Sequence, residues 1–308
     1  MKPYGPRNLA ASVANRLRQR SRQLGEDHQY VLMRYGVERL MYRLSQSRYA
    51  EDFIVKGAMM FLVWAGTPYR PTKDLDLLAV GSASIERLAD VFRELCAVPV
   101  VDDALVWLPE SVTVEAIRED AAYQGVRVRL EARLAKMKIR LQVDIGFGDA
   151  LTPKPQLAEF PPLLDFPAPR LVMYARETAI AEKFEAMVKL DLENSRMKDF
   201  YDIWLLSREF EFDGTTLGAA ITATFQRRKS DLAATVPVAL TVEFAEHPLK
   251  VRQWRAFVGR GRIKQVELNL VVVTSAVRDF LMPVVAAAES GRKFSGHWPK
   301  GGPWQPMK

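Results

Sequence analysis

The chain has 308 residues, of which 48% are apolar and 26% are charged. This length is typical of about two domains, and this composition excludes a disordered, collagen-like or fibrous protein. The single cysteine, Cys96, excludes a disulfide framework and a cysteine-rich zinc site. The N-terminus lacks an apolar signal-peptide core, and the most apolar segment, 268–288, is interrupted by Arg278 and Asp279. The sequence therefore predicts a cytoplasmic protein with no membrane partner.

Basic residues are concentrated in two segments of the chain. Overall, 44 Lys and Arg residues face 37 Asp and Glu residues, which gives a net charge of +7. Residues 1–50 contain ten basic and three acidic residues, and residues 227–264 contain nine basic and three acidic residues. Such segments favour an anionic partner such as RNA, with Lys250, Arg252 and Arg255 as candidate phosphate contacts. Ordinary solvated helix faces are the alternative interpretation.

Hydrophobic periodicity predicts an α+β protein that begins with two amphipathic helices, at 8–25 and 27–47, whose polar faces carry the arginines. The predicted elements that follow are a strand at 53–55, a helix at 58–65, a turn at 66–68, a strand at 74–80, a helix at 84–96, an irregular stretch near Pro109, a hairpin of 126–134 with 139–145, and a proline-rich linker at 152–169. The remainder is predicted as helices at 176–191, 196–208, 215–229, 248–258 and 265–289, followed by a tail that Trp298 and Trp304 pin in place.

This pattern divides the chain into three predicted parts. They are a basic helical preface (1–50), a small α/β lobe with a mixed sheet (51–160) and a helical C-terminal lobe (161–308). The apolar residues Met59, Met60, Phe61 and Trp64, at helical spacing, are interpreted as core.

The strongest local signal is a pair of acids, Asp74 and Asp76, on the strand at 74–80. Residues two apart on a strand face the same side, so the carboxylates project together. A divalent metal compensates their repulsion, and Mg²⁺ prefers one or two carboxylates together with substrate phosphates. A solvated strand end is the alternative interpretation of an isolated Asp-x-Asp pattern.

Two further features favour phosphate chemistry. Gly57 ends the strand at 53–55 and begins a helix, where free backbone N–H groups can receive a phosphate. Asp144 lies on the polar face of the hairpin, and three acids on neighbouring strands could hold two metals. The alternative for Asp144 is an ion pair with Arg140 or Arg129.

Four sequence blocks resemble the AbiEii/AbiGii toxin family of the DNA polymerase β-like nucleotidyltransferase superfamily. They are VKGAMM (55–60), YRPTKDLDL (69–77), IAEKFEA (180–186) and RMKDFYDI (196–203). The resemblance covers residues 53–206 and implies a nucleotidyltransferase fold. Members usually have glycine, then Thr or Ser, after Gly57; this chain has Ala58 and Met59, which leaves only backbone N–H groups to contact a phosphate.

The resemblance also implies roles for individual residues. Asp74 and Asp76 would bind Mg²⁺, or Mn²⁺ in its place, and Asp144 would be a further metal ligand or the general base. Gly57, Ala58, Arg70, Lys73 and Lys183 are implied to bind the nucleotide, and Asp202 to orient Lys183 or the acceptor hydroxyl. From the residues alone, Lys183 could equally be a lysine that extends along an apolar helix face, and Asp199 or Asp202 a structural partner of Arg196 or Lys198.

The implied activity is the transfer of a nucleoside monophosphate from an NTP to the 3′ end of tRNA. This modification would block translation, and a cognate antitoxin would neutralise the enzyme. Two alternatives remain open: a protein or small-molecule acceptor, and a degenerate fold that binds nucleotide or RNA without catalysis.

Overall fold

The structure of the protein, a computed structural model, describes residues 8–66, 69–81, 84–120, 123–261, 263 and 269–307. Thr67 and Pro68 of the predicted turn, and Lys264 at the end of the second basic segment, lie outside these residues. The chain forms two units. The N-terminal unit comprises the chain up to Gly148 together with Gln156–Met173, and the C-terminal unit comprises Asp149–Pro155 together with the chain from Tyr174.

In the described residues of the N-terminal unit, a seven-stranded mixed sheet has the order β3-β4-β5-β2-β1-β7-β6. Its strands are β1 (Phe53–Lys56), β2 (Asp74–Ala79), β3 (Leu105–Asp120), β4 (Tyr123–Leu134), β5 (Met137–Phe147), β6 (Gln156–Glu159) and β7 (Arg170–Met173). Strand β2 is parallel to β5 and antiparallel to β1, which places it in the middle of the sheet. The α+β prediction and the predicted hairpin, now β4 and β5, are confirmed.

The described part of the same unit also contains four helices: α1 (Leu9–Leu24), α2 (His28–Ser45), α3 (Met60–Ala65) and α4 (Ile85–Ala97). Asn8, Asp27 and Ser84 cap α1, α2 and α4 through side-chain oxygens that accept backbone N–H groups, as their residue types favour. Met59, Met60 and Phe61 are buried and Trp64 is half-buried, as the prediction of a core cluster requires.

Two predictions about irregular segments are wrong. The stretch around Pro109 lies in the long strand β3, whose pairing with β4 shifts register between Leu108 and Thr113. This irregularity accommodates a residue that cannot donate to the ladder. The segment predicted as a linker at 152–169 contains β6, which pairs antiparallel with β7 at the edge of the sheet. Edge position explains how a strand forms among so many prolines.

The prediction that α2 exposes its arginines is also wrong. Arg34, Arg39 and Arg43 are 7%, 1% and 5% exposed. Arg34 contacts Glu26 at 2.7 Å, and Arg39 lies 3.2 Å from Glu38 and donates to the Pro167 carbonyl. Each charge is buried together with its own partner, as a buried guanidinium requires.

The C-terminal unit is mainly helical. Its helices are α5 (Arg176–Leu190), α6 (Met197–Glu209), α7 (Gly214–Arg228), α8 (Val242–Glu246), α9 (Pro248–Gly261) and α10 (Leu270–Glu289). A three-stranded sheet joins β8 (Phe212–Asp213), β9 (Gly296–Trp298) and β10 (Gln305–Pro306). The tail is fixed as predicted: Trp298 donates to the Ser207 carbonyl at 2.7 Å, and Trp304 donates to the Phe280 carbonyl at 2.8 Å.

Helix α10 is long and apolar enough to cross a membrane by length and composition. Its residues Val273, Val277 and Phe280 are fully buried, and it packs against α6, α7 and α8. A core helix of a soluble protein meets the same criteria of length and composition. The packing supports the interpretation of this segment as a buried helix.

The pair formed by Arg43 and Asp103 provides a test of how much these buried ions contribute to stability. Two guanidinium nitrogens of Arg43 contact the Asp103 carboxylate, and the two side chains are 6% and 1% exposed. Arg43→Met leaves the carboxylate buried without its partner, so we expect a loss of about 3 kcal/mol in the free energy of unfolding, measured in urea. The control is Arg48→Met, because Arg48 pairs with Glu94 at the surface with 72% and 50% exposure. We expect that control to change stability by less than about 1 kcal/mol; equal losses would contradict the prediction.

Candidate active site

Asp74 and Asp76 lie on the polar face of the central strand β2. Leu75 and Leu77, between and after them, point to the opposite side of the sheet and are 1% and 0% exposed. Because side chains alternate along a strand, burial of the leucines fixes the face on which both carboxylates project. The acids therefore lie side by side over the middle of the sheet.

Gly57 allows the backbone to approach the carboxylate of Asp76. This glycine follows β1, has a φ of +76° and begins a single 3₁₀ turn, Gly57–Met59, that leads into α3. A Cβ atom at position 57 would overlap Oδ2, Cγ and Cβ of Asp76. Both the positive φ and the contact require glycine. Ala58, the next residue, is half-buried in the same turn.

A row of charged residues crosses the sheet at the level of Asp76. Lys56 on β1, Asp76 on β2, Asp144 on β5 and Arg127 on β4 are successive register partners. The sheet thus brings Asp144 beside Asp76, as the sequence led us to expect. Two neighbouring carboxylates repel each other, and a basic residue stands next to each acid in this row.

Asp144 forms an ion pair with Arg127. Nε of Arg127 donates to Oδ1 of Asp144 and Nη2 donates to Oδ2, both at 2.8 Å. The amide of Gln142 also approaches Oδ2, at 3.4 Å. Hydrogen bonding to Asp144 raises the pKa of Arg127 above its ordinary value. The alternative partners considered from sequence are engaged elsewhere: Arg129 with Glu115 at 2.8 Å and Arg140 with Glu131 at 3.4 Å.

Arg70 and Lys73 lie in the segment that precedes β2. Lys73 is exposed and Arg70 is half-buried. The hydroxyl of Tyr30, on α2, is 3.4 Å from the backbone nitrogen of Thr72, which ties this segment to the helix. Burial raises the pKa of Tyr30, so its hydroxyl stays protonated and neutral at physiological pH.

The donor set on β2 fits a divalent cation. Among the residues that the structure describes, no three His, Cys, Asp or Glu side chains form a group that could hold a metal ion. Asp74 and Asp76 supply adjacent carboxylate oxygens, and this is sufficient for Mg²⁺ when substrate phosphates and water complete its coordination. Asp144, the third predicted ligand, already has both oxygens bonded to Arg127.

The C-terminal unit contains a second charged cluster, centred on Lys183 of α5. Its ammonium lies 2.7 Å from Oδ1 of Asp199 and 2.9 Å from Oδ2 of Asp202, both on α6. Arg196 contacts the other oxygen of Asp199 at 2.8 Å. The two carboxylates are 1% and 0% exposed, whereas the Lys183 side chain is 17% exposed. Sequence reasoning linked Lys183 to Asp202 but gave Asp199 only a local partner; in the structure both aspartates bind it.

The electrostatic balance of this cluster favours the ionised form of Asp199. Burial by itself raises the pKa of this carboxyl group, but the nearby charges of Lys183 and Arg196 outweigh burial and hold the pKa below its ordinary value. A lowered pKa in the folded state stabilises the protein above the unfolded-state pKa of about 4, and this contribution is lost as the pH falls through the lower folded-state pKa.

Removal of Lys183 tests this balance. Lys183→Met leaves two buried carboxylates with less compensation, so we expect about 3 kcal/mol of destabilisation at pH 7. The difference from the wild type should shrink below a pH of about 4, where the carboxyl groups of the unfolded chain become protonated. Urea unfolding across this pH range measures both effects. Lys189→Met, at an exposed position of the same helix, is the control; a Lys183→Met deficit that does not vary with pH would contradict the prediction.

A second test addresses the contact between Gly57 and Asp76. Gly57→Ala places a methyl group where the carboxylate lies, so we expect the nucleotidyl transfer that the family resemblance implies to fall by at least about tenfold, together with about 1–2 kcal/mol of backbone strain. Gly66→Ala is the matched control, because Gly66 also has a positive φ, +71°, but, apart from its chain neighbours, no residue that the structure describes lies within 4 Å of the place that a methyl group would take there. Gly57→Ala should lose at least as much stability in urea as Gly66→Ala, because the overlap with Asp76 adds to the backbone strain, and only Gly57→Ala should lose activity. Equal activity of the two variants would show that the contact is unimportant.

Comparison with known proteins gives a family match and two similar crystal structures. The family described as "Nucleotidyl transferase AbiEii toxin, Type IV TA system" matches residues 39–270. The structure of JHP933 from Helicobacter pylori is 12% identical, with 84% of this chain and 90% of that chain covered and a TM-score of 0.46. A second H. pylori structure, described as a candidate nucleotidyltransferase, is 12% identical, with 84% and 92% covered and a TM-score of 0.46. No curated protein matches the sequence.

The family match extends over most of the chain and includes all four sequence blocks that suggested the resemblance. It includes the acids of β2 in the N-terminal unit and the Lys183 cluster in the C-terminal unit. The chain belongs to the AbiEii toxin family of nucleotidyltransferases.

Proposed function

We propose that this toxin-type nucleotidyltransferase transfers a nucleoside monophosphate from an NTP to the 3′ end of tRNA in the cytoplasm. In this reaction the 3′ hydroxyl oxygen bonds to the α-phosphorus of the NTP. The bond from that phosphorus to the bridging oxygen of the β-phosphate breaks, and pyrophosphate leaves. The observation that carries the proposal is Asp76, which shares a strand face with Asp74 and packs against Gly57, in a chain of this family.

For Asp74 and Asp76 we propose the role of binding a divalent cation, with Mg²⁺ as the first candidate and Mn²⁺ as the second. Bound with the nucleotide, such a cation neutralises phosphate charge and supplies Lewis-acid catalysis. The two carboxylates would be in place to bind the cation, because β2 fixes both of them on one face of the sheet. The proton of the attacking hydroxyl passes to a base, and Asp144 is the residue that the family resemblance suggests.

The backbone of Gly57 and Ala58 is proposed to bind the triphosphate, assisted by Arg70 and Lys73. Gly57 carries no side chain that would block the approach of a phosphate oxygen to its backbone. Ala58 supplies an N–H group but no hydroxyl, so binding at this turn depends on the main chain. The exposed ammonium of Lys73 adds positive charge at the start of β2.

Lys183 is proposed to neutralise charge that develops on the leaving pyrophosphate. A compact ammonium is suited to this role, and Asp199 and Asp202 would hold it in place. Its partial exposure leaves part of the side chain accessible, whereas both partners are buried. This assignment follows the family resemblance, and the ion pairs explain how the side chain is kept in one conformation.

Only basic residues that are exposed to solvent are candidates for contacts with tRNA phosphates. Arg18 and Arg22 of α1 are exposed in the N-terminal unit, and Arg252, Arg255 and Arg260 of α9 are exposed in the C-terminal unit. Lys250, predicted from sequence as a phosphate contact, is 3% exposed and donates to the Asn194 carbonyl at 2.9 Å. We therefore propose the exposed arginines as phosphate contacts, which would recognise RNA by shape and charge more than by sequence.

As a member of a type IV toxin–antitoxin family, the chain has an antitoxin as its expected partner and a nucleotide as its substrate. A role in phage defence is a proposal that follows from the same membership. A protein or small-molecule acceptor is the alternative to tRNA, and a fold that binds nucleotide or RNA without catalysis is the alternative to an enzyme.

The decisive experiment combines total tRNA, Mg²⁺ and each α-labelled NTP in turn with the wild type, with Asp76→Asn and with Asp90→Asn. Asp90 is a surface residue of α4 whose carboxylate side chain is 69% exposed, and it controls for the loss of one charge. We expect label on tRNA with one NTP, retained in Asp90→Asn and reduced at least about 100-fold in Asp76→Asn.

The other outcomes identify the alternatives. NTP binding without labelled RNA would reject the tRNA acceptor and favour a protein or small-molecule acceptor. Absence of any Mg²⁺-dependent NTP binding in calorimetry would reject catalysis and favour the degenerate fold. A strong salt dependence of tRNA affinity, weakened by Arg252→Ser or Arg255→Ser, is expected if α9 contacts phosphates.

A further inference from the structure

Arg127 occupies both carboxylate oxygens of Asp144, the residue that would otherwise be a third acidic ligand beside Asp74 and Asp76. Its guanidinium donates to both oxygens of Asp144, and the amide of Gln142 approaches one of them. The Asp144 and Arg127 side chains are 23% and 28% exposed, so the pair is shielded from solvent more than the neighbouring pair of Arg129 and Glu115, at 48% and 53%. A partly shielded bidentate pair is stronger than an exposed one.

We propose that Arg127 holds Asp144 out of the cation site in the free protein, so that Asp74 and Asp76 alone bind the divalent cation there. This inference rests on the proposed function, because it requires the cation that Asp74 and Asp76 are proposed to hold. It adds a residue, Arg127, that neither the family blocks nor the sequence pattern connected with the site.

The charges across the sheet explain why this arrangement is stable. Asp76 and Asp144 are direct neighbours on parallel strands, and their repulsion would be largest without a cation. Arg127, on the far side of Asp144, supplies a fixed positive charge that needs no ligand. A divalent cation bound to Asp144 would have to displace this guanidinium or lie beside it, and either event is unfavourable.

The consequence is that Arg127 limits the affinity of the site for a bare cation. With one positive charge removed and Asp144 released, the proposed cation site would present three carboxylates, those of Asp74, Asp76 and Asp144, in place of two. We therefore expect the Arg127→Gln variant to bind cations more tightly than the wild type, because the substitution removes the ion pair with Asp144.

The test measures Mn²⁺ binding to the full-length protein by the electron paramagnetic resonance signal of free Mn²⁺, without nucleotide. Arg127→Gln should bind about tenfold more tightly than the wild type, the order of magnitude for one charge at this range. Arg129→Gln is the matched control, because Arg129 lies on the same strand and face but pairs with Glu115. This control should change the affinity less than about twofold, since its charge is more exposed.

The double variant Arg127→Gln/Asp144→Asn keeps the net charge of the wild type and removes the pair as a unit. We expect its Mn²⁺ affinity to lie within about twofold of the wild type, since both states of the pair are neutral overall. Loss of binding as severe as in Asp76→Asn would identify Asp144 as a direct ligand and overturn the inference. Equal affinities of Arg127→Gln and Arg129→Gln would overturn it as well.

The same series separates this inference from the proposed function. If the wild type binds Mn²⁺ and Asp76→Asn does not, the cation site stands, and the Arg127 variants then decide the inference alone. If Asp76→Asn binds Mn²⁺ as the wild type does, the cation site itself is rejected. Thermal unfolding of every variant ensures that only folded protein is compared.

Discussion

Electrostatic repulsion between carboxylates in the middle of a sheet is the constraint on which the N-terminal unit depends. The sheet places Asp76 of β2 beside Asp144 of β5, and the alternation of β2 adds Asp74 on the same face. The fold tolerates this concentration of negative charge because Lys56 and Arg127 continue the row on either side. In the function proposed above, a divalent cation would take over part of this compensation when the substrate binds.

The close packing of Gly57 against Asp76 follows from the path of the backbone between β1 and α3. The strand β1 brings its last residues beside β2, and the chain must turn at once into α3. A residue with a side chain would push the Asp76 carboxylate away, so the turn and the acid are one structural unit. The turn requires a positive φ at Gly57, and the contact with Asp76 requires that Gly57 have no Cβ atom.

Charge compensation also organises the parts of the protein that lie away from these acids. In α2, three arginines are buried with acidic or carbonyl partners, which turns an apparently basic helix into a core element. In the C-terminal unit, Lys183 and Arg196 hold Asp199 ionised although it is fully buried. A run of basic residues in the sequence is therefore a poor guide to a basic surface, because Arg34, Arg39 and Arg43 are buried with their partners.

The sequence by itself determined most of the local elements, the shared strand face of Asp74 and Asp76 and the four blocks that place the chain in its family. The hairpin of β4 and β5 was predictable because its strands alternate strictly, and the turn at Ala135 and Lys136 then sets Arg127 opposite Asp144. The pairing of Arg127 with Asp144 could therefore be predicted from the sequence, but only if the two turn residues are identified correctly. A displacement of one residue would reverse the face of every side chain.

Only the tertiary structure decided which charged residues are exposed and which partners they take. Hydrophobic periodicity cannot distinguish a solvated arginine from Arg39, which is buried beside Glu38. Which face of a helix is buried depends on the elements that pack against it, and these are distant in the sequence. Periodicity also cannot show that residues 156–159, within the proline-rich segment 152–169, form an edge strand, since the pairing partner lies in β7. Local patterns record the preferences of a segment, whereas burial and ion pairing depend on segments that are distant in the chain.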